Sequence, residues 1–249
     1  MDPAYAAAYR DLYERHWWWR ARERFLLARL TELHSTGNRP RILDVGCGDA
    51  LFFDELNRFG EVRGIEPDAE IVTDGRWRAM IHVGELDDDF AARHTFDWIL
   101  LLDVLEHVDD DVALLRAVRT TLAEEGLVII TVPAFRTLWT RHDEINQHVT
   151  RYTRGTLATA LQEADLEPID LRYFFHWLAP LKLIVKLKEA VVTGGMTVAS
   201  VPPAPLNRLA YGVSVAEQHM PGTAHLPFGT SLYALCRAAS GPGAEEAAE

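Results

Sequence analysis

Short apolar runs alternate along this chain with stretches whose apolar residues have helical spacing. The clearest run, Trp98–Leu102, is unbroken, which predicts a strand covered on both faces. The predicted strands are Arg41–Val45, Val62–Ile65, Ala79–Val83, Trp98–Leu102, Leu127–Val132, Glu167–Phe174 and Gly229–Cys236. Helical patterns precede the first strand and separate the others, and 249 residues suit one α/β domain with an insertion.

A glycine turn joins the first strand to a helical pattern at residues 51–59. Gly46 and Gly48 form the turn, Asp44 precedes it, and Glu66 ends the second strand 20 residues after Gly46. Glycines let the backbone approach a ligand, and an acid at this distance is placed to accept from both hydroxyls of a ribose. An NAD fingerprint would need a third glycine where Leu51 stands. The unit therefore predicts a nucleotide site of another kind.

The sequence DVGCGDA, followed by GIEPD, resembles motif I and the acidic loop of class I S-adenosylmethionine (SAM) methyltransferases. Ala50 takes the place of that motif's third glycine. The resemblance implies SAM as the cofactor, held by Asp44, Gly46, Gly48 and Glu66. It also implies an α/β fold with a Rossmann-like seven-stranded mixed sheet, whose last strand is antiparallel, flanked by helices.

The resemblance also suggests how the chain is divided. We expect an N-terminal helical lid at 1–36, a SAM-binding core at 37–174 and a helical cap insertion at 175–228. The last core strand would occupy 229–238. The small, acidic segment 239–249 is predicted to be disordered.

The N-terminal segment carries an aromatic stripe. Its members recur every four residues and so share one helix face: Tyr5, Tyr9, Tyr13 and Trp17. The stripe runs into His16–Arg22, which resembles an HWWxRxR segment found in a subgroup of these methyltransferases, where N-terminal helices close over the cofactor. The helix is either such a lid or a packing helix. Trp19 and Arg20 are the predicted cofactor contacts, with Arg20 assigned to the methionine carboxylate.

Further cofactor contacts are predicted beyond the third and fourth strands. In related enzymes the residues after the third strand flank the adenine, and Glu85 and Leu86 occupy that place. The segment after Trp98–Leu102 resembles the (S/D)xLEH motif of the same group. Ligand contacts come from the carboxyl ends of strands in such sheets, so Leu102, Asp103 and His107 should border the cofactor. His107 could instead cap the next helix.

The segment Leu138–Tyr152 resembles the lWSxHDxxxxHxxRY pattern of one methyltransferase subgroup. His142 and His148 are the candidate general bases, with Asp143 as an orienting partner or second base. The two histidines could also simply hydrogen-bond the segment in place. A metal held by these three residues has suitable ligand types but no recognised spacing, so no metal is predicted. The predicted acceptor-binding residues are Trp139, Arg151 and Tyr152.

The composition of the chain limits the kinds of partner that the protein is expected to bind. A net charge of −12 argues against a general nucleic-acid binder. Two cysteines give neither a disulfide framework nor zinc spacing, and no signal peptide or membrane span is evident, so a cytoplasmic location is expected. The apolar segment Trp177–Val192 contains the only lysines of the chain, Lys182, Lys186 and Lys188. They indicate a cap helix with a basic edge, or contact with an anionic headgroup or phosphorylated substrate.

These observations predict a SAM-dependent methyltransferase that methylates an N or O atom of a small molecule, such as a secondary metabolite or sugar, as a monomer or homodimer. Membrane contact is a lesser alternative, in which a peripheral enzyme would methylate lipid-linked glycans. A SAM-binding regulatory protein without catalysis is the other rival. It would need no acceptor pocket, which the segment Leu138–Tyr152 argues against.

Overall fold

The computed structural model describes residues 3–35, 37–73, 75–191 and 200–239. Its centre is a seven-stranded sheet with the order β3-β2-β1-β4-β5-β7-β6. The strands are β1 Arg41–Val45, β2 Glu61–Glu66, β3 Ile81–Val83, β4 Phe96–Leu102, β5 Leu122–Pro133, β6 Leu166–Phe174 and β7 Ser231–Ala238. Strands β1 to β5 pair in parallel, and β7 lies antiparallel between β5 and β6. The predicted fold class is confirmed.

Helices flank the sheet in the part of the chain that the structure describes. They are α1 Pro3–Arg15, α2 Trp17–Leu33, α3 Phe53–Leu56, α4 Asp88–Ala91, α5 Asp111–Thr121, α6 Arg141–Ile145, α7 Arg154–Glu163, α8 Leu178–Val191 and α9 Ala204–His219. Strand residues alternate between two apolar layers. Leu101 packs with Leu115 of α5 and Leu157 of α7, whereas Leu100 packs with Phe25 of α2. Each fully buried leucine contributes about 1.5–3 kcal/mol.

Two elements are shorter than the sequence pattern predicted. The helix after the glycine turn is a single turn, Phe53–Leu56, because Ala50 has a left-handed backbone with φ of 55° and the chain turns before it can become helical. The third strand begins at Ile81 rather than Ala79 because Arg78–Met80 form a 3-10 turn.

Helix α9 holds the two N-terminal helices at their corner. The Asn207 side chain accepts a hydrogen bond from the Trp17 backbone N–H at 2.8 Å and donates to the Arg15 carbonyl at 2.8 Å. Gln218 donates to the Ala21 carbonyl, also at 2.8 Å. The N-terminal helices and the inserted helix α9 therefore form one packed unit on the sheet.

Helix α8 turns two of its three lysines inward more than the sequence suggested, whereas Lys188 is exposed. Lys186 donates to the Thr137 carbonyl at 2.8 Å, and burial lowers the pKa of Lys182 to about 8. Within the described ranges, no helix is both long and apolar enough to cross a membrane. Half of the predicted loop 194–205 and nearly all of the predicted disordered tail 239–249 lie outside the described residues. The division of the chain into lid, core and cap stays a prediction.

Candidate active site

The carboxyl ends of β1, β2 and β4 meet at the edge of the sheet where the glycine turn lies. Glu66 ends β2 there, only 7% exposed, and its two carboxylate oxygens accept from the backbone N–H groups of Gly48 and Asp68, each at 2.9 Å. Burial raises the pKa of Glu66, and these hydrogen bonds oppose the rise. The carboxylate is therefore held in one orientation before any ligand arrives.

The glycine turn adopts the conformation that its residues were predicted to allow. Gly46 has φ of 71°, and a Cβ there would lie 2.7 Å from a Val104 methyl carbon. Gly48 has φ of 56°, and a Cβ there would meet no atom within 4 Å, so its backbone borders open space. Asp44 is buried beside this turn. Burial raises the pKa of Asp44 to about 7, against the opposing effect of Arg22.

A buried arginine links α2 to the ends of β4 and β5. The Arg22 guanidinium lies 2.8 Å from an Asp103 carboxylate oxygen and donates to the Thr131 hydroxyl at 3.0 Å. Thr131 donates in turn to the other Asp103 oxygen at 3.2 Å. Asp103 has φ of 60°, a strained value for a residue with a side chain. These contacts hold the positive charge of Arg22 beside the edge of the sheet where the cofactor is predicted to bind.

The N-terminal helices also reach the glycine turn and α6. Arg10 of α1 forms an ion pair with Asp49, which also accepts two hydrogen bonds from Thr73. Trp19, 7% exposed, packs in a cluster with Ile145 of α6. Both contacts fit the lid interpretation, because they join the helices to segments on either side of the strand ends.

The expectation for Arg20 needs correction. Its side chain is exposed, lies 4.8 Å from the Tyr211 ring centre and lines an outer cleft of about 390 Å³ between α2 and α9. Arg22, not Arg20, reaches the strand ends. Helical spacing could have shown this, because Trp19 and Arg22 are three residues apart and share a face, whereas Arg20 projects elsewhere.

The residues predicted to flank the cofactor after β3 and β4 have different environments. Leu86 is 9% exposed and packs in the apolar layer with Phe90, so little of its side chain is available to a ligand. Glu85 is exposed and Leu102 is half-buried at the end of β4. Roles for Glu85 and Leu102 at the cofactor stay predictions.

Asp143 is the hub of the histidine-rich segment. Its side chain is fully buried and accepts from Arg151 at 2.7 and 3.0 Å, from His148 at 2.8 Å and from the Thr140 backbone at 2.8 Å. Burial alone would raise the pKa of Asp143, but the hydrogen bonds from His148 and Arg151 outweigh it and hold the pKa far below its usual range. Asp143 therefore orients its partners and cannot serve as the second base.

Two predicted acceptor contacts face inward and need correction as well. Arg151 is bound to Asp143 and to the Ala134 carbonyl at 2.8 Å. Tyr152, 3% exposed, donates its hydroxyl to Asp111 at 2.7 Å. Their donors are used within the protein, so they shape the segment rather than meet an acceptor. Trp139 is half-buried beneath Arg136 and stays a candidate contact.

His142 and His148 have different hydrogen-bond partners. A ring nitrogen of His142 is 3.1 Å from the Asn146 amide nitrogen. Burial, with a smaller effect from Lys182, lowers the pKa of His142 to about 4, so the ring is neutral at pH 7. Among the described residues, the group whose ligand atoms lie close enough to share a metal ion is Glu106, His107 and His148, rather than the set His142, Asp143 and His148 considered from the sequence.

His107 and His148 meet at the end of β4. Their ring centres are 4.8 Å apart at an interplanar angle of 81°. Burial and the neighbouring His148 lower the pKa of His107 to about 4. Glu106, which the sequence analysis did not select, lies beside them with 1% exposure. The sequence showed that Glu106 belongs to the LEH motif, but it did not show that the side chain points into the protein.

A family described as a methyltransferase domain matches residues 18–171. This match covers more than half of the chain, and the chain belongs to that family. The resemblance to class I SAM-dependent methyltransferases is thereby confirmed. The particular HWWxRxR subgroup stays a prediction.

Relatives and solved structures agree with this family. The chain is 31% identical over 100 residues to the ubiquinone biosynthesis O-methyltransferase of Xanthomonas campestris pv. campestris (strain B100), covering 36% of this chain and 42% of that protein. The aligned stretch is therefore less than half of the relative's length.

Two solved structures share the fold at low sequence identity. One is a SAM-dependent methyltransferase from Archaeoglobus fulgidus, with a TM-score of 0.53 and 14% identity over 86% of this chain and 93% of that one. The other is the plantazolicin methyltransferase BpumL, solved with a triazolic desmethylPZN analog and SAH. Its TM-score is 0.54 and its identity 12%, over 88% of this chain and 84% of that one. Together with the family match, these neighbours support SAM as the cofactor.

The Asp143 hub predicts a large effect on stability. Asp143→Ala should lower the free energy of unfolding by about 3–5 kcal/mol, because it leaves the buried Arg151 without its partner. The matched control is Glu167→Ala, which removes the acid from the exposed pair with Arg237 and should cost less than about 1 kcal/mol. Urea unfolding measures both, and equal losses would contradict the assignment of Asp143 as a structural hub.

Proposed function

We propose that the chain transfers the methyl group of SAM to an oxygen atom of a small-molecule acceptor. The observation that carries the proposal is the buried Glu66 carboxylate, fixed by the N–H groups of Gly48 and Asp68 beside the open space at Gly48. A carboxylate in this position accepts from both hydroxyls of the cofactor's ribose. The glycine backbone leaves room for the methionine half of SAM.

Arg22 supplies the positive charge for the other end of the cofactor. Its guanidinium is buried, already paired with Asp103 and bonded to Thr131, and comes from the helix that covers the strand ends. An arginine binds a carboxylate through two parallel hydrogen bonds, which fix orientation as well as distance. We assign Arg22 to the methionine carboxylate of SAM, in place of Arg20.

The acceptor would lie at the end of β4, against His107 and His148. In the reaction an oxygen lone pair forms the new bond to the methyl carbon while the carbon–sulfur pair returns to sulfur, which leaves a neutral thioether. Alignment and exclusion of water do most of the work. His148 supports transfer to oxygen, because its hydrogen bond to Asp143 leaves the other ring nitrogen as a proton acceptor. The O-methyltransferase activity named for the Xanthomonas relative supports the same choice.

Calorimetry with S-adenosylhomocysteine (SAH) tests the cofactor site. Arg22→Ala should weaken SAH binding at least about 10-fold, since it removes a charge-assisted hydrogen bond of about 1.5–3 kcal/mol. Arg20→Ala, two residues away on the outer face, is the matched control and should bind like the wild type. If Arg20→Ala binds weakly and Arg22→Ala normally, the assignment is wrong. Transfer of a labelled methyl group from SAM to a panel of phenols and other alcohols then tests the reaction itself.

A second candidate role is binding to a lipid surface, where the protein would meet its acceptor. Helix α8 exposes large apolar side chains on successive turns, among them Leu181 at 45%, Ile184 at 61% and Leu187 at 68%. An apolar helix face with nearby cations is typical of interfacial helices. Lys182 is partly buried and Lys186 is hydrogen-bonded within the protein. Membrane binding would therefore depend on the apolar side chains rather than on these two lysines.

Sedimentation with phosphatidylcholine–phosphatidylglycerol vesicles measures this binding. The wild type should sediment with vesicles, and a variant with Leu181, Ile184 and Leu187 all changed to serine should stay in the supernatant. The matched control changes three other exposed apolar residues to serine, Met80, Val149 and Ile169, and should bind like the wild type. A wild type that does not sediment, or equal binding of both variants, would remove this role.

A further inference from the structure

We propose that Glu106, His107 and His148 form a binding site for a divalent transition-metal ion. Each residue offers one ligand atom, and the three atoms lie within 4.8 Å of one another. The residues come from two segments of the chain, the turn after β4 and the loop after α6. The site goes beyond the proposed methyl transfer, which needs no metal.

Each histidine of the group is held by a hydrogen bond from its ring. The Nδ1 of His148 lies 2.8 Å from an Asp143 oxygen, and because that carboxylate can only accept, Nδ1 carries the proton. His107 has a hydrogen bond to the backbone of Gln147. Metal-binding histidines are held in this way, by a carboxylate or backbone carbonyl on the second nitrogen, which fixes the ring and its lone pair.

Glu106 supplies the observation that points to a ligand. Its side chain is 1% exposed, and its Oε2 atom has no hydrogen-bond partner among the residues that the structure describes. A buried oxygen of this kind costs about 1–3 kcal/mol when left unsatisfied. Burial and the Asp103 charge raise the pKa of Glu106. The charges of Arg22 and Arg151 oppose this rise from a distance, since neither side chain is hydrogen-bonded to Glu106. A cation between Glu106 and the two imidazoles would satisfy the oxygen.

The types of ligand atom indicate which metal ions the site would bind. Two imidazole nitrogens and one carboxylate suit zinc, manganese or iron(II), whereas calcium and magnesium prefer oxygen ligands alone. Ligands about 2.1 Å from a tetrahedral metal lie roughly 3.4 Å apart, whereas the three ligand atoms lie within 4.8 Å of one another, so the side chains would have to draw together by up to about 1.4 Å. His107 is the exposed residue of the three, although its ring is partly buried against His148, so it is the member most able to make this movement.

The use of this metal in catalysis rests on the proposed function. Three protein ligands leave at least one coordination position open, where the hydroxyl of the acceptor can bind. With the ion bound, the free His148 lone pair would hold the metal and could not accept the proton. Coordination would instead lower the pKa of the hydroxyl, its proton would pass to water, and the oxygen would keep the lone pair that attacks the methyl group of SAM. The site would therefore restrict the acceptor to compounds with a hydroxyl that a metal can hold.

Cobalt(II) titration of the chelator-treated, tag-free full chain tests the site by visible absorption, with zinc(II) as a competitor. The wild type should bind one cobalt ion per chain, and zinc should displace it. Glu106→Gln and His107→Ala should each weaken cobalt binding at least ~100-fold. The matched controls are Glu144→Gln and His225→Ala, which change exposed residues and should leave affinity within about 2-fold of the wild type.

Calorimetry with SAH on the same variants separates this proposal from the proposed function. Glu106→Gln and the two control variants should bind SAH like the wild type, which also shows that they fold. A wild type that binds SAH but no cobalt would overturn the metal site alone, as would cobalt binding that Glu106→Gln and His107→Ala leave unchanged. A wild type that binds cobalt but not SAH would overturn the methyltransferase proposal and leave the metal site standing.

Discussion

The ion pair between the buried Arg22 and the half-buried Asp103 is the contact on which the arrangement of this site depends. It joins the N-terminal helix α2 to the end of β4, and Thr131 extends it to β5. A buried arginine without its partner would be costly, so the helix is held over the strand ends rather than merely packed on the sheet. The left-handed backbone of Asp103, with φ of 60°, is maintained by the same contacts.

A fully buried acid, Asp143, organises the acceptor side. Asp143 binds Arg151 and His148 at once, and through them sets the loop after α6 against the turn after β4. The result is that His148 meets His107 with a defined ring orientation. The same carboxylate that stabilises the loop therefore prepares a nitrogen lone pair for chemistry, whether that lone pair takes a proton or holds a metal.

Much of the fold could be predicted because its signals are local. The apolar run Trp98–Leu102 and the glycine turn at Gly46–Gly48 depend on backbone preferences and on burial that neighbours along the chain already indicate. The inward direction of Arg151, Tyr152 and Glu106 could not be predicted in this way. Their partners come from distant segments, so their roles depend on tertiary contacts that one sequence does not display.

The Glu66 carboxylate is the centre of the functional account, and calorimetry with SAH tests it most directly. The wild type should bind SAH at micromolar concentration and show no binding of NAD. Glu66→Gln should weaken SAH binding at least about 10-fold, while Glu61→Gln, at the exposed start of the same strand, should not. Equal SAH affinity in the two variants, or preference for NAD, would contradict the claim that Glu66 holds the ribose of SAM.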